Sequence, residues 1–253
     1  MDTYTKISCP EVFFLADSHF KDRRRDGETE RRRLFIDFLS GVPAGAAVFL
    51  LGDVFDFYFE YRSVVPKRYF DVLHALYDCI RRGAEIHFLG GNHDYWFGPF
   101  LRDDIGLIPH GDDVFVECQG RKIWCTHGDL FMPGDTGYSV IRSFLRNRLV
   151  VAAAKILHPD LMDAIASRVS EGSKNRNRRS AKDMAYKFAA RPAESFFCRG
   201  NDVFVTGHIH YPLHQIKQGK DLVIVGDWIT QFTFARLRDG KMSIETFTHG
   251  GKD

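Results

Sequence analysis

The stretch AVFLLGD, residues 47–53, runs through five apolar side chains and stops at a glycine and a carboxylate. An unbroken apolar run of this length, with no polar residue at alternate positions, reads as a strand buried on both faces. The same pattern recurs along the chain. VFFLAD (12–17), EIHFLGGNHD (85–94), KIWCTHGD (122–129), DVFVTGHIH (202–210) and LVIVGDW (222–228) are short apolar runs closed by polar residues. Helical patterns separate several of them. ETERRRLFIDFLS (28–40) is one, and PKRYFDVLHALYDCIRRG (66–83) is another, with Pro66 placed for a first turn and Gly83 as a stop. Near the end, RDGK (238–241) forms a hairpin turn between two alternating strands. Strands and helices in this arrangement predict an α/β fold.

The bulk numbers bound the rest. A chain of 253 residues suits one α/β domain, residues 1–253, with a small insertion. A formal charge of +2 argues against a dedicated nucleic-acid binder, although local basic clusters can still attract phosphates or an anionic membrane surface. Five cysteines at 9, 79, 118, 125 and 198, an odd number with no CxxC pair, read as reduced thiols of a cytoplasmic protein. The N-terminal MDTYTKISCPEVFFLAD does not read as a signal peptide, and no stretch approaches the roughly 20 apolar residues that span a bilayer. The run KDRRRDGETERRR (21–33) alternates basic and acidic blocks. It reads as a solvated loop and helix start, or secondarily as a patch drawn to a membrane surface.

Residues 138–190 break the strand–helix rhythm. They contain no strand-like run and are helical and arginine-rich, which predicts a helical insertion. Ile141, Phe144, Leu145, Leu149 and Val150 fall near helical spacing with Arg142, Arg146 and Arg148 among them. Such a stripe docks the insertion on the core or sheathes an apolar ligand; the stripe alone favours docking.

The polar residues that close the apolar runs share one chemistry. Asp17 and His19 follow VFFLA, Asp53 follows VFLLG, Asn92 follows IHFLGG, His127 follows IWCT, and His208 and His210 follow VFVTG. Open α/β sheets bind ligands at the carboxyl ends of their strands. Carboxylates and imidazoles without a thiolate suit Mn²⁺, Fe²⁺, Zn²⁺ or Mg²⁺. Seven such ligands exceed one tetrahedral zinc and suit two ions sharing a carboxylate. Two ions roughly 3.5–4 Å apart can clamp a phosphoryl group, neutralise its charge and generate a hydroxide nucleophile at neutral pH.

Taken together, Asp17-x-His19, Gly52-Asp53-x-x-Asp56, Gly91-Asn92-His93-Asp94, His127 and Gly207-His208-x-His210 resemble the calcineurin-like metallophosphoesterases. The resemblance implies a four-layer αββα sandwich. It implies that Asp17, His19, Asp53 and His210 hold one metal, and that Asp53, Asn92, His127 and His208 hold the other, with Asp53 bridging. It further implies catalytic roles for His93, at the scissile phosphate, and for Asp94, which would orient His93.

HGDLFMPGDTGY (127–138), HPDLMDAIASRVSEGS (158–173) and KNRNRR (174–179) resemble one branch of that family, the UDP-2,3-diacylglucosamine hydrolases of lipid A biosynthesis. What this implies is a pyrophosphatase acting on a nucleotide-linked glycolipid. Its products are UMP and 2,3-diacylglucosamine 1-phosphate. Two divalent ions, Mn²⁺ foremost, serve as cofactors, and the protein works peripherally at the cytoplasmic, inner-leaflet surface of the inner membrane. Asp135, Ser173 and Asn177 match substrate contacts of the branch, while Arg176, Arg178 and Arg179 belong to a run that is usually a solvated face. The chain departs from the branch pattern at His93, where an arginine is expected, and at Ser180, where a lysine is expected and Lys182 lies nearby. The alternatives are a generic phosphodiesterase or phosphatase of the same fold, to which His93 is native, and a metal-stabilised binding module, which would have lost ligands.

Overall fold

The structure is a computed structural model that describes residues 3–22, 25, 27–131, 136–174 and 181–248. Its strands are β1 (Thr5–Lys6), β2 (Glu11–Leu15), β3 (Ala47–Leu50), β4 (Glu85–Leu89), β5 (Ile108–His110), β6 (Asp113–Cys118), β7 (Arg121–Thr126), β8 (Val203–Thr206), β9 (Leu213–Lys217), β10 (Lys220–Ile224), β11 (Thr233–Arg238) and β12 (Lys241–Thr246). The helices are α1 (Glu28–Gly41), α2 (Phe70–Arg81), α3 (Thr136–Leu145), α4 (Arg148–Ala154), α5 (Pro159–Lys174), α6 (Ala181–Ala189) and α7 (Glu194–Phe197). Two six-stranded sheets form, in the orders β12-β11-β2-β3-β4-β5 and β1-β6-β7-β8-β10-β9.

Strand alternation explains why the runs are apolar throughout. In β2, β3 and β4, the side chains of Phe13, Leu15, Val48, Leu50, Ile86 and Phe88 pack with Phe35, Phe38, Val72 and Leu76 of α1 and α2. Their neighbours Val12, Phe14, Ala47, Phe49 and Leu89 point the other way. They meet Val114, Val116, Ile123, Cys125, Val203 and Val205 of the second sheet. The outer face of that sheet is covered in turn, with Trp124, Phe204 and Leu222 packed on Ala185, Phe188 and Phe196 of α6 and α7. Four layers result, α on β on β on α, as the resemblance implies.

Helices α3 to α6 lie between β7 and β8. Of these, α6 carries the buried docking residues Ala185, Phe188 and Ala189, whereas α4 buries none. Leu149 and Ile156 are 81% and 86% exposed. The run 21–33 is not simply solvated. Glu28 and Arg32 are buried, and Arg32 donates to Asp71 at 2.6 Å and to the carbonyl of Arg68 at 2.7 Å. Aligned acidic and basic blocks on α1 allow this, because Glu28 stands one turn from both Arg31 and Arg32.

Candidate metal centre

Parallel pairing brings the strand ends level. Leu15 pairs with Leu50 and Leu50 with Phe88 in one sheet, and Thr126 pairs with Thr206 in the other. The loops that follow β2, β3, β4, β7 and β8 therefore open at one end of the sandwich, and all seven residues singled out as ligands meet there. Five of them, Asp17, His19, Asp53, His208 and His210, have left-handed backbones, with φ between 42° and 67°. This conformation costs an ordinary residue roughly 1–2 kcal/mol and persists only where the surroundings enforce it. Here the loops enforce one another: Asp17 N–H donates to the carbonyl of Gly52 at 3.1 Å, and His19 N–H to that of Asp53 at 2.8 Å.

Glycine is obligatory at the tightest point. A Cβ on Gly91 would lie 2.1 Å from Oδ1 of Asp53, and one on Gly52 would lie 2.7 Å from the Cα of Gly91. The loops after β3 and β4 are thus in backbone contact, which seats the carboxylate of Asp53 beside the Asn92–His93 peptide.

Asp53 stands at the middle of the cluster. Its Oδ2 is 3.5 Å from Nε2 of His19 and 3.5 Å from Nε2 of His127. On one side, Oδ1 of Asp17 lies 3.3 Å from Nε2 of His210 and 3.8 Å from Nε2 of His19. On the other, Nε2 of His127 lies 3.2 Å from both Oδ1 of Asn92 and Nδ1 of His208. Nδ1 of His127 contacts the carbonyl of Leu51 at 2.8 Å; a carbonyl only accepts, so Nδ1 carries the hydrogen and Nε2 faces the cluster.

This donor set fits divalent cations. Three groups, Asp17–His19–His210, His19–Asp53–His93 and Asp53–His127–His208, bring their ligand atoms within 4.8 Å of one another. Oδ1 of Asp17 and both ring nitrogens of His19 are buried without a hydrogen-bond partner, an arrangement that is costly unless something else engages them. Charge points the same way. Burial alone would lift the Asp17 and Asp53 carboxyls, but the surrounding imidazoles hold both below their usual range. Burial pushes His19 down to about 3 and His208 to about 4, leaving both as neutral donors. It also opposes charge on His127, yet the carboxylates of Asp53, Asp17 and Asp129 outweigh it and raise that imidazole to about 10. The carboxylates draw positive charge into the site, and a divalent ion would displace the imidazole protons that otherwise supply it.

Asp94 has a different neighbourhood from the one expected. No hydrogen bond joins its buried carboxylate to His93. The carboxylate accepts backbone N–H groups from Asp53 at 3.1 Å, Val54 at 2.7 Å, Phe55 at 3.2 Å and Gly91 at 2.9 Å. His93 is instead oriented by the carbonyl of Asp56, 2.8 Å from Nδ1, while its own N–H donates to Oδ1 of Asp53 at 2.9 Å. The reason is hydrogen bonding: the buried amides of Asp53, Val54, Phe55 and Gly91 need an acceptor, and Asp94 supplies it. Asp135 and Asn177 lie outside the described residues, as does the side chain of Ser173, whose backbone falls in α5.

Two contributors went unread in the sequence. Asp227 places Oδ2 3.8 Å from Nδ1 of His210, and its Oδ1 accepts the N–H groups of Ile229 and Thr230 at 2.9 and 2.8 Å. Gly226-Asp227 closing LVIVGD repeats the Gly52-Asp53 pattern and was a usable signal. Arg31 donates to the carbonyl of Ser18, between Asp17 and His19, and to that of Trp228 at 3.3 Å. Beside the cluster opens a cavity of about 310 Å³, whose walls include Phe57, Phe59, Trp96, Leu145, Val151 and Met162, with Asn92 and His93 at its metal-site end.

The family model for calcineurin-like phosphoesterases matches residues 11–212. The chain belongs to the calcineurin-like phosphoesterase family. Relatives are named UDP-2,3-diacylglucosamine hydrolase. The one from Porphyromonas gingivalis is 27% identical over 243 residues, covering 89% of this chain and 93% of its own. That from Xanthomonas oryzae is 27% identical over 251 residues, covering 93% and 98%. A solved structure described as a novel archaeal phosphodiesterase is 14% identical, covers 93% of this chain and 98% of its own, and has a TM-score of 0.46. This calcineurin-like phosphoesterase is a metal-dependent hydrolase.

Proposed function

We propose that the chain is one domain with a helical cap at about 138–190, and that it hydrolyses the pyrophosphate of UDP-2,3-diacylglucosamine to UMP and 2,3-diacylglucosamine 1-phosphate. The observation that carries this reading is the apolar cavity beside the metal cluster, walled on one side by α3, α4 and α5. A generic phosphodiesterase has no use for it; a diacylated sugar does, at about 0.8 kcal/mol per buried methylene. The names of the relatives support the same substrate.

Asp17, His19, Asp53 and His210 would hold one ion, and Asp53, Asn92, His127 and His208 the other; this oxygen and imidazole set suits Mn²⁺, Fe²⁺, Zn²⁺ or Mg²⁺, and the resemblance to the branch favours Mn²⁺. When bound, the ions neutralise the phosphoryl oxygens and acidify water. The chain's own residues do the rest. His93, with its Nδ1 hydrogen engaged by the carbonyl of Asp56, would donate to the phosphoryl group and to the departing oxygen when Nε2 also carries a proton. Water adds to the α-phosphorus and gives up a proton to solvent, the bond from that phosphorus to the bridging oxygen breaks, and that oxygen leaves with the lipid phosphate. Asp94 keeps the two loops in register, and Asp135, Ser173 and Asn177 serve as substrate contacts. Among the described residues no helix is long and apolar enough to cross a membrane. Exposed Leu149 and Ile156 beside Arg148 and Lys155 suit a peripheral approach to the cytoplasmic face of an anionic inner membrane.

The test is UMP release from UDP-2,3-diacylglucosamine with Mn²⁺, run beside bis(p-nitrophenyl) phosphate. Chelator-sensitive release of UMP at far higher kcat/KM than the small ester is expected. Turnover of the small ester alone would discard the lipid substrate and favour the general phosphodiesterase.

A further inference from the structure

Arg142 near the end of α3 and Arg146 just beyond it reach back into the metal loops. Nη2 of Arg146 donates to the carbonyl of Gly91 at 3.0 Å, its guanidinium carbon lies 3.6 Å from the ring centroid of Tyr95, and Nη1 donates to Asp112. Arg142 donates through Nε to Asp129 at 2.8 Å and through Nη2 to the same Asp112 oxygen at 2.5 Å. Both side chains are about nine-tenths buried, at 10% and 11% exposure, whereas Asp112 is 40% exposed and outside the cavity wall. Gly91 immediately precedes Asn92 and His93, and Asp129 lies two residues after His127. A further hydrogen bond, from Nε1 of Trp96 to the carbonyl of Leu145 at 2.9 Å, seats the same end of the helix.

We infer that Arg146, with Arg142, is a positioning residue that clamps α3 to the two loops carrying Asn92, His93 and His127. The cap that walls the cavity and the ligand loops are then one rigid unit. This rests on the ligand assignment proposed above. The clamp depends on the planar guanidinium: it stacks on Tyr95 while its two Nη groups bond in different directions, which a lysine ammonium does not reproduce.

The experiment measures Mn²⁺ affinity by titration calorimetry, kcat and KM on bis(p-nitrophenyl) phosphate, and thermal unfolding. It compares wild type with Arg146→Ala, Arg146→Lys, Asp112→Asn and, as an exposed-arginine control, Arg102→Ala. Arg146→Ala should weaken Mn²⁺ binding and lower kcat by roughly 10- to 100-fold, with KM for the small ester little changed. Arg146→Lys should not restore either. Asp112→Asn, at the exposed end of the clamp, should shift both in the same direction by less, and carries the test should Arg146→Ala fail to fold. Unchanged Mn²⁺ affinity and kcat in folded Arg146→Ala or in Asp112→Asn would overturn the inference, as would full rescue by lysine. If wild type neither bound Mn²⁺ nor turned over the ester, the ligand assignment itself would fall, an outcome separate from any difference among the variants.

Discussion

The carboxylate of Asp94 accepts the backbone N–H of Asp53 at 3.1 Å across 41 residues of sequence. It is fully buried, and three more amides converge on it. Burial and the nearby Asp53 charge push its carboxyl up to about 6, while the amide donors favour the ionised form. Asp94→Asn keeps the shape but turns an NH₂ group toward hydrogen-bond donors. A loss of about 2–4 kcal/mol in urea unfolding is expected from hydrogen bonds to a charged group. Mn²⁺ affinity should fall with it. An unchanged affinity in the folded variant would mean that the two loops hold their register without this carboxylate.

Asp53 and Asp17 should differ in stoichiometry. Oδ2 of Asp53 is equally distant, at 3.5 Å, from the rings of His19 and His127, whereas the imidazoles beside Asp17 Oδ1 are those of His19 and His210, and its Oδ2 is taken up by the backbone N–H of His208 at 2.6 Å. Asp53→Ala is therefore expected to abolish binding of both Mn²⁺ equivalents and all turnover. Asp17→Ala should keep one equivalent. Calorimetric titration distinguishes one site from two, and two retained sites in Asp53→Ala would refute the bridging role.

Gly91 is the steric test of the same geometry. An added Cβ would sit 2.1 Å from Oδ1 and 2.5 Å from the amide nitrogen of Asp53, so the loop must shift. Gly91→Ala should cost about 1–3 kcal/mol of stability, the usual penalty for overpacking. Activity should fall far more than stability, because Asn92 and His93 move with the loop. Equal activity per folded molecule would show that the β3 and β4 loops can separate without harm.

The parts of the fold that were legible in the sequence are those where one residue type answers to one environment. β2, β3 and β4 are buried on both faces, so their runs are unbroken. β6 escaped notice because DVFVEC is buried only at alternate positions, and β9 because LHQIK is nowhere fully buried. The cluster proposed to hold metal was legible because Asp, Asn and His stand at strand ends. Arg31 and Arg146 were not, since they act on the carbonyls of Ser18 and Gly91, and a carbonyl belongs to every residue. Spacing left docking and sheathing open for the stripe at 141–150: the core contact is made by Phe188 of α6, whereas Leu149 faces outward and Ile141, Leu145 and Val150 line the cavity.

A pH effect on stability should come from His87, away from the metal cluster. It is buried and stacked on Phe49 at 4.2 Å, and its Nδ1 lies 2.9 Å from Nε2 of His110. The other charged group nearby is Glu85, 3.7 Å from Nε2. Burial, then the His110 charge, pushes His87 down to about 4, so the folded protein stays neutral there while the unfolded chain takes up a proton near 6.5. The unfolded state binds more protons below pH 6.5, and stability falls as pH drops from 6.5 toward 4, by about 3 kcal/mol in total. His87→Phe keeps the stack and removes the proton site. Its urea midpoint should decline less steeply between pH 7 and 5 than that of wild type, and parallel declines would assign the effect to other groups.

The cavity decides between a lipid and a small ester, and Val150 tests it. Val150 lines the cavity from α4, together with Phe57 and Trp96. Val150→Asp places a carboxylate where an acyl chain would lie. Burying an unpaired charge is prohibitive, so the chain is either excluded or must bring water with it. The kcat/KM for UDP-2,3-diacylglucosamine should fall by 10-fold or more, and most of the loss should appear in KM, because the contact is the same in ground and transition states. Bis(p-nitrophenyl) phosphate, which carries no acyl chain, should lose far less. Shortening the acyl chains by two methylenes should mimic part of the defect in wild type, at about 0.8 kcal/mol per methylene, and should matter little in the variant. If wild type ignored chain length and Val150→Asp slowed both substrates equally, the cavity would hold no lipid and the cap would act only on the metal loops.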